Sequence, residues 1–367
     1  MAYGTVNADI IQSSVSGVSL GAGNASIMKN RIINGAFNVN QYNLGTVTPT
    51  ANQYIIDRWL SNVSTASKFS VAQSSVAPAG FTNSALITST SAYTVASGDY
   101  ETFQQRIEAN NMFDMGWGTA NAKTVTLSFW VQSSLTGTFG GSLYFPASTA
   151  RTYPFSYTIS AANTWQQIAI TIPGDTFTNT APTGTSLYVI VQWALGVGTT
   201  YQGTAGSWVS GNYASVTGAT NLIATNGATF YITSVQLEVG SSATGFEYRQ
   251  YTTELNLCQR YYTFIGNETV GTEIPAASNG TVRVRGAYYY PVTMRTAPSA
   301  SIAGTPSFYT MVGTTPTYSS PANIAGTTTK YATIDLNITG TTLTAGQWAN
   351  NISFNTTGCY IAWSAEL

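Results

Sequence analysis

The stretch 124–134, TVTLSFWVQSS, alternates: Val125, Leu127, Phe129 and Val131 point one way, Thr124, Thr126, Ser128 and Gln132 the other. A period of two in β-branched and aromatic residues is the signature of a half-buried strand. Three later stretches repeat it. Ile168, Ile170 and Ile172 share a face in 165–172. Leu187, Val189, Val191, Trp193 and Leu195 share one in 186–195. In 230–239, Val235, Leu237 and Val239 are in phase, but the first half is apolar on both faces, which predicts a bulge or double burial. Four such strands separated by Gly, Ser, Thr and Asn loops predict a β-sandwich.

The rest of the chain is organised around that sandwich. Residues 31–251 read as one β-domain, with further short strands at 68–76 and 84–89. The stretch 99–110, DYETFQQRIEAN, admits a strand or a short helix; strand is the better fit in a sandwich. The loop 196–227 is long and glycine-rich, and loops of that length usually carry function or an interface. The stretch 252–262, TTELNLCQRYY, is the one convincing helix, with Leu255, Cys258 and Tyr262 at i, i+3, i+7 and Thr252 or Thr253 as cap. Residues 263–367 read as a second β-unit. There Val282 and Val284 point inward and Arg283 and Arg285 outward, Tyr331 opens an alternating strand at 331–338, and 358–367 is a strand with Ile361 and Trp363 on one face. Residues 1–30 hold scattered aliphatics, among them Val6, Ile10, Ile11 and Val15, too few for a core but enough to dock on a partner.

Charged residues are only 7% of the chain, against a usual share of roughly a quarter. The surface must then be built from Ser, Thr, Asn, Gln, Gly and Tyr. A net charge of -1 supplies no basic field for nucleic acid or an anionic membrane. No apolar run approaches the ~20 residues of a membrane helix, and the N-terminus lacks the pattern of a signal peptide. Two widely spaced cysteines, Cys258 and Cys359, read as buried thiols.

The chain has no histidine, so histidine triads, zinc–histidine sites and imidazole acid–base chemistry are excluded. A carboxylate pair for glycan hydrolysis is the remaining enzymatic option, with Asp99, Glu101, Glu108 and Asp114 close in sequence; the alternative is a solvated edge or pairing with Arg106. The expectation is no enzyme and no cofactor. Eight tryptophans and 23 tyrosines are the better lead. Flat aromatics among amides and hydroxyls suit neutral sugars, whose apolar faces stack and whose hydroxyls seek hydrogen bonds. The candidates are the loop residues Trp117, Tyr201, Trp208 and Tyr213, with Tyr309 and Tyr318, read as loop tyrosines of the second unit. Trp130, on the Thr/Ser face of its strand, belongs to an outer sheet face or an interface. The run Tyr288–Tyr290 reads as packing between subunits.

KNRIINGAFNVNQ, YIIDRWLS, GWGTANAKTVTLSFWVQSSLTGTFGGS, RTYPFSYTISAANTWQQIAITIPGD and ATFYITSVQLEVGSSATGFEYR follow in order across 29–262. This run resembles a module of tail-fibre and other virion-appendage proteins of tailed bacteriophages, cyanophages included. NGAF, the LSFWV strand, the W-Q strand and the closing FYI-S-VQLE strand are also similar to jelly-roll carbohydrate-binding modules of the family-4/9 kind. Those modules hold a structural calcium near the NG-F start, where this chain has Asn38 in place of an acid, so no metal is expected. The resemblance implies an all-β jelly roll, a helix linker, a second β-sandwich at the tip and an extended N-terminal segment that docks to a tail adaptor, nozzle or baseplate. It implies a homotrimer in the virion, made in the host cytoplasm, that contacts a host surface glycan or receptor. The alternatives are a capsid decoration protein or a glycan depolymerase.

Overall fold

The computed structural model describes residues 28–266, 272–278, 283–304, 307–310, 317–318, 323–337, 348–354 and 359–367. Val6, Ile10, Ile11 and Val15 lie outside the described residues, as does Val282. The chain divides into two compact units. The first ends at Tyr251 and takes in Leu367; the second spans Thr252–Glu366.

The first unit is a sandwich of two antiparallel sheets. One has seven strands in the order β1-β2-β5-β10-β7-β8-β12: β1 (Gln53–Ile56), β2 (Trp59–Val63), β5 (Tyr100–Glu108), β10 (Leu187–Val197), β7 (Gly137–Phe145), β8 (Arg151–Ile159) and β12 (Val209–Ser210). The other has five in the order β3-β4-β14-β6-β9: β3 (Phe69–Ser74), β4 (Ser84–Ser89), β14 (Thr229–Val239), β6 (Val125–Ser133) and β9 (Gln166–Ile172). The kernels β5-β10-β7-β8 and β4-β14-β6-β9 face each other, and the chain passes between sheets in jelly-roll sequence. A two-stranded parallel ribbon, β11 (Gln202–Gly203) with β13 (Ser215–Val216), belongs to neither sheet.

Alternation decides which side chains fill the space between the sheets. Val125, Leu127, Phe129 and Val131 of β6 are all fully buried, each contributing about 1.5–3 kcal/mol. Phe129 meets Trp193 of the opposite sheet edge-on at 5.4 Å and Tyr157 at 5.1 Å. Trp59 stacks on Phe103 at 5.2 Å, so β2 and β5 present one aromatic surface to the core. The stretch 99–110 is strand in its greater part, because β2 and β10 take up the hydrogen bonds on both of its sides.

The doubly apolar start of 230–239 has the expected cause. Phe230 and Ile232 are buried, then the register slips between Thr233 and Gln236, with Ser234 at φ +56°, and burial passes to Val235 and Leu237. The bulge carries the strand's inward set from even to odd positions. The NGAF segment docks on this bulge: Val235 N donates to Gly35 O at 2.9 Å and Asn30 Nδ2 to Val235 O at 3.0 Å. A Cβ at Gly35 would lie 2.1 Å from Val235 O, so only glycine fits. A second irregularity separates Leu187 from Val189: Val189, Val191, Trp193 and Leu195 are buried, but Leu187 is only half-buried and Tyr188 takes the core place.

Central strands β7 and β8 carry weak sequence signals. Gly140 and Gly141 interrupt β7, yet a Cβ at Gly141 would come within 2.4 Å of Gln192 O and 2.5 Å of the Phe155 ring. Pro154 sits in β8 beyond the short reach of β12, which pairs only Thr152 and Arg151, so its missing N–H breaks no ladder bond there.

The second unit begins on α1 (Tyr251–Gln259). The helix starts one residue earlier than expected and ends three earlier: Thr252 and Thr253 lie within its first turn, and Tyr262 opens β15 (Tyr262–Gly266), paired with Ser364. The sheet ladder claims Tyr262 before the helical spacing does. Cys258 and Cys359 are both buried. β24 (Tyr360–Ser364) lies between β15 and β18 (Ser299–Ala303). A seven-stranded sheet contains β16 (Thr272–Ser278), β17 (Arg283–Tyr289), β19 (Ser307–Thr310), β20 (Thr317–Tyr318), β21 (Asn323–Thr327), β22 (Tyr331–Asn337) and β23 (Trp348–Phe354), in the order β20-β19-β23-β16-β17-β22-β21. Val284, Ile334 and Ile352 of this sheet and Ile361 and Trp363 of β24 form the core of the unit. The tyrosine run does not present a common outward face. Tyr288 stacks on Trp363 at 4.8 Å and Tyr290 meets it at 5.5 Å, so both pack within the unit; Tyr289 alone points out, 72% exposed.

Candidate functional site

The outward face of β5, β10 and β7 is polar because the inward positions of the same strands take the apolar residues. Phe103 and Ile107 of β5 point in, which turns Tyr100, Gln104 and Arg106 out. Val191 and Trp193 of β10 point in, which turns Ile190 and Gln192 out. Tyr144 of β7 and Asn62 of β2 complete a floor.

The loop 198–221 builds a wall on this floor. Ser142 Oγ donates to Tyr213 O at 2.7 Å, Thr152 Oγ1 to Gly211 O at 2.6 Å, and Thr220 N to Thr138 O at 2.7 Å. Tyr201 closes one side: its N–H donates to Gly198 O, its carbonyl accepts from Ala214 N at 2.8 Å, and its ring meets Tyr100 edge-to-face at 5.2 Å. With Asn212 and Ala214 from the far limb of the loop, the wall and floor enclose a groove of about 240 Å³.

The floor is held by a relay of side-chain hydrogen bonds across three strands. Arg106 Nε and Nη2 donate to the Gln104 amide oxygen at 3.2 Å, the Gln104 nitrogen donates to Gln192 Oε1 at 3.2 Å, and Gln192 Nε2 donates to Ser142 Oγ at 2.9 Å. Gln104 is 1% exposed and Gln192 4%. Ordered amides in a shallow, partly dry groove, flanked by tyrosine rings and with the Arg106 guanidinium bonded to Gln104, can hold a hydroxyl-rich ligand without reorganising. Burial raises the Tyr144 phenol above its ordinary value, keeping it a hydroxyl donor.

Of the residues singled out in the sequence, only Tyr201 lines this groove. Tyr213 faces a neighbouring hollow of about 210 Å³ with Gln202, Gly203, Thr204, Val209 and Thr217. Trp117 is no surface platform: it is 1% exposed, its Nε1 donates to Lys123 O at 2.9 Å, and its ring sits among Phe145, Tyr188 and Trp208. Trp208 is half-buried edge-on to Trp117 at 5.1 Å and Tyr153 at 5.6 Å, its Nε1 donating to Pro173 O. Tyr309 and Tyr318 are on strands β19 and β20, not in loops, and their side chains lie outside the described residues. Trp130 is on the outward side of β6, opposite Thr233 and Gln167. Tyr100, Gln104, Gln192 and Tyr144 were missed as site residues; the signal for them was their place opposite the apolar set.

Of the four carboxylates, Asp99 and Glu101 stand together at Thr65, outside the groove, and Glu108 and Asp114 stand apart from them. Glu101 and Glu108 are seven residues apart on β5, about 23 Å along the strand, far beyond the ~5–10 Å of a hydrolytic pair. Asp114 pairs with Arg31 at 2.8 Å and Lys123 at 3.7 Å. Glu101 is buried, accepts from Ser64 Oγ and Thr65 N, and is pushed up to about 7 by burial and by nearby Asp99. Asp57, which accepts from both Gln41 N and Nε2, is pushed up to about 6 by burial. Where a calcium-binding acid would stand, Asn38 Oδ1 accepts from Thr82 Oγ1 and Asn83 Nδ2. Among the described residues, no three Cys, Asp or Glu cluster as metal ligands.

No family model and no curated protein matches the chain. Solved structures do. The enzymatically active domain of tailspike protein 4 of bacteriophage CBA120 is 13% identical, with a TM-score of 0.30, over 58% of this chain and 22% of that one. The C-terminal family 22 carbohydrate-binding module of a Clostridium thermocellum protein is 11% identical, with a TM-score of 0.31, over 60% of this chain and 100% of the module. The family 11 carbohydrate-binding module of a Clostridium thermocellum cellulosomal cellulase is 12% identical, with a TM-score of 0.29, over 55% and 98%.

Proposed function

We propose that this chain is a non-enzymatic structural protein of a bacteriophage tail fibre, and that its first unit holds a neutral glycan in the Tyr100–Tyr201 groove. The observation that carries the binding role is the groove itself: ordered amides of Gln104 and Gln192 among Tyr100, Tyr144 and Tyr201, with no carboxylate among its lining residues. The resemblance of 29–262 to phage appendage modules supports the virion setting, the homotrimer and attachment through residues 1–30. On this reading the host-contact site is in the first unit, at Tyr201, rather than at Tyr309 and Tyr318. The close pair among the four carboxylates, Asp99 and Glu101, does not line the groove, which supports binding over hydrolysis there.

The test is retention of the whole chain on an array of neutral bacterial and algal polysaccharides. Tyr201→Ala is expected to weaken retention about ten-fold, roughly 1.4 kcal/mol, with an unchanged melting temperature. Full retention by that variant, or release of reducing sugar by the wild type, overturns the reading.

A further inference from the structure

The outward face of β17 and β22 carries a second arrangement of chemistry that the groove does not use. At one end, Arg285 Nε and Nη2 hold Asp335 in a two-pronged pair at 2.6 and 2.7 Å. Arg283, two residues along the same face, reaches the same carboxylate only at 3.5 Å, and its side chain is 46% exposed. Asp335 is buried and doubly engaged, so the cluster of two guanidiniums and one carboxylate keeps one net positive charge, placed mainly on Arg283. At the other end, Tyr289 and Tyr331 are directly opposite each other across the strand pair, rings 5.6 Å apart, and both are exposed. Between them the face is low: Ala287 opposite Thr333. Arg283 is six positions from Tyr289, about 20 Å along the strand, so a ligand that reaches both spans several sugars.

We propose that this face binds an oligosaccharide bearing carboxylates, one ring lying on the Tyr289–Tyr331 pair and an acid group several sugars further along the same oligomer on Arg283. Exposed tyrosines offer a sugar face a wide contact at small entropic cost. An exposed guanidinium takes a carboxylate in a fork. The small residues between leave room for the chain to lie flat. A second copy stacked with its arginine end on this one would set Arg283 and Arg285 against like charges. A single net charge is also too weak a field to hold nucleic acid.

The experiment titrates the full chain with oligogalacturonate, alginate oligomers and a sialylated oligosaccharide, each beside its methyl ester. The acid forms are expected to bind at least ten-fold tighter than the esters. Arg283→Ala and Tyr289→Ala should each remove most of that binding with melting temperatures unchanged, and Tyr201→Ala should leave it intact, which separates this face from the groove. Failure of the wild type to bind any acid form overturns the proposal, as does equal binding of acid and ester. Sedimentation that shifts to smaller species in Arg283→Ala or Tyr289→Ala, with sugar binding unchanged, would assign the face to a second copy instead.

Discussion

The outward face of β5, β10 and β7 in the first unit and the outward face of β17 and β22 in the second are both spared from core duty, yet their chemistry is opposite. The first is covered in part by the loop 198–221, and its amides are buried and bonded to one another. The second stands open, with Arg283 and Tyr289 in water. A walled face whose amides, and the Arg106 guanidinium beside them, are already bonded to one another favours ligands that replace water's hydrogen bonds one for one. An open face with an exposed, loosely paired guanidinium favours a ligand with charge, and its grip weakens with salt.

The hardest blow to this contrast would come from Trp117. If the wall end of the sandwich is packing, Trp117→Ala should cost about 3–5 kcal/mol and lower the denaturant midpoint sharply. A variant of normal stability that has lost neutral-glycan binding would move the site from the sheet face to the loop end.

Proton linkage is the next largest effect. Asp57 holds its proton to about pH 6 in the fold against an ordinary 3.8, and Glu101 to about 7 against 4.5. Above those values the folded state must keep a buried carboxylate, which for Asp57 costs about 3 kcal/mol. Both folded values are raised, so stability rises as pH falls through 7 and 6, and the gain is complete once pH is below the ordinary values. Melting curves from pH 8 to pH 4 should show a rising midpoint, and Asp57→Asn should flatten it. A midpoint that falls over that range contradicts the burial of these groups.

Smaller still, Gln192→Ala removes the acceptor for Gln104 and the donor to Ser142. It should cost about 1–3 kcal/mol and weaken neutral-glycan retention together, because the relay serves both. The corresponding change on the open face, Tyr289→Ala, should alter stability by no more than about 0.5 kcal/mol. Equal thermal costs for the two substitutions would erase the distinction between a built-in floor and a free surface.

Much of the fold was legible because strand alternation is local. The inward sets of β6 and of most of β10, and the slip within β14, follow from neighbours one and two residues away, as does the outward turn of Arg283 and Arg285. Strands β7 and β8 were illegible because Gly140, Gly141 and Pro154 break the pattern for reasons seated on other strands, at Gln192, Phe155 and the short reach of β12. The site was legible in part. Tyr201 stood out as an aromatic in a long loop, while Gln104 and Gln192 read only as the polar side of their strands.

By itself, the sequence determined an all-β chain, a surface of hydroxyls and amides, and the absence of histidine chemistry. Which aromatics face a ligand was decided only by tertiary structure. Trp117 and Tyr201 look alike along the chain, each a flat ring in a glycine-rich stretch. Phe145, Tyr188 and Trp208, distant in sequence, close over Trp117, whereas the loop that carries Tyr201 folds back on the sheet and leaves its ring at the groove's edge. Exposure of a side chain is set by what the rest of the chain brings to it, and no local pattern contains that information.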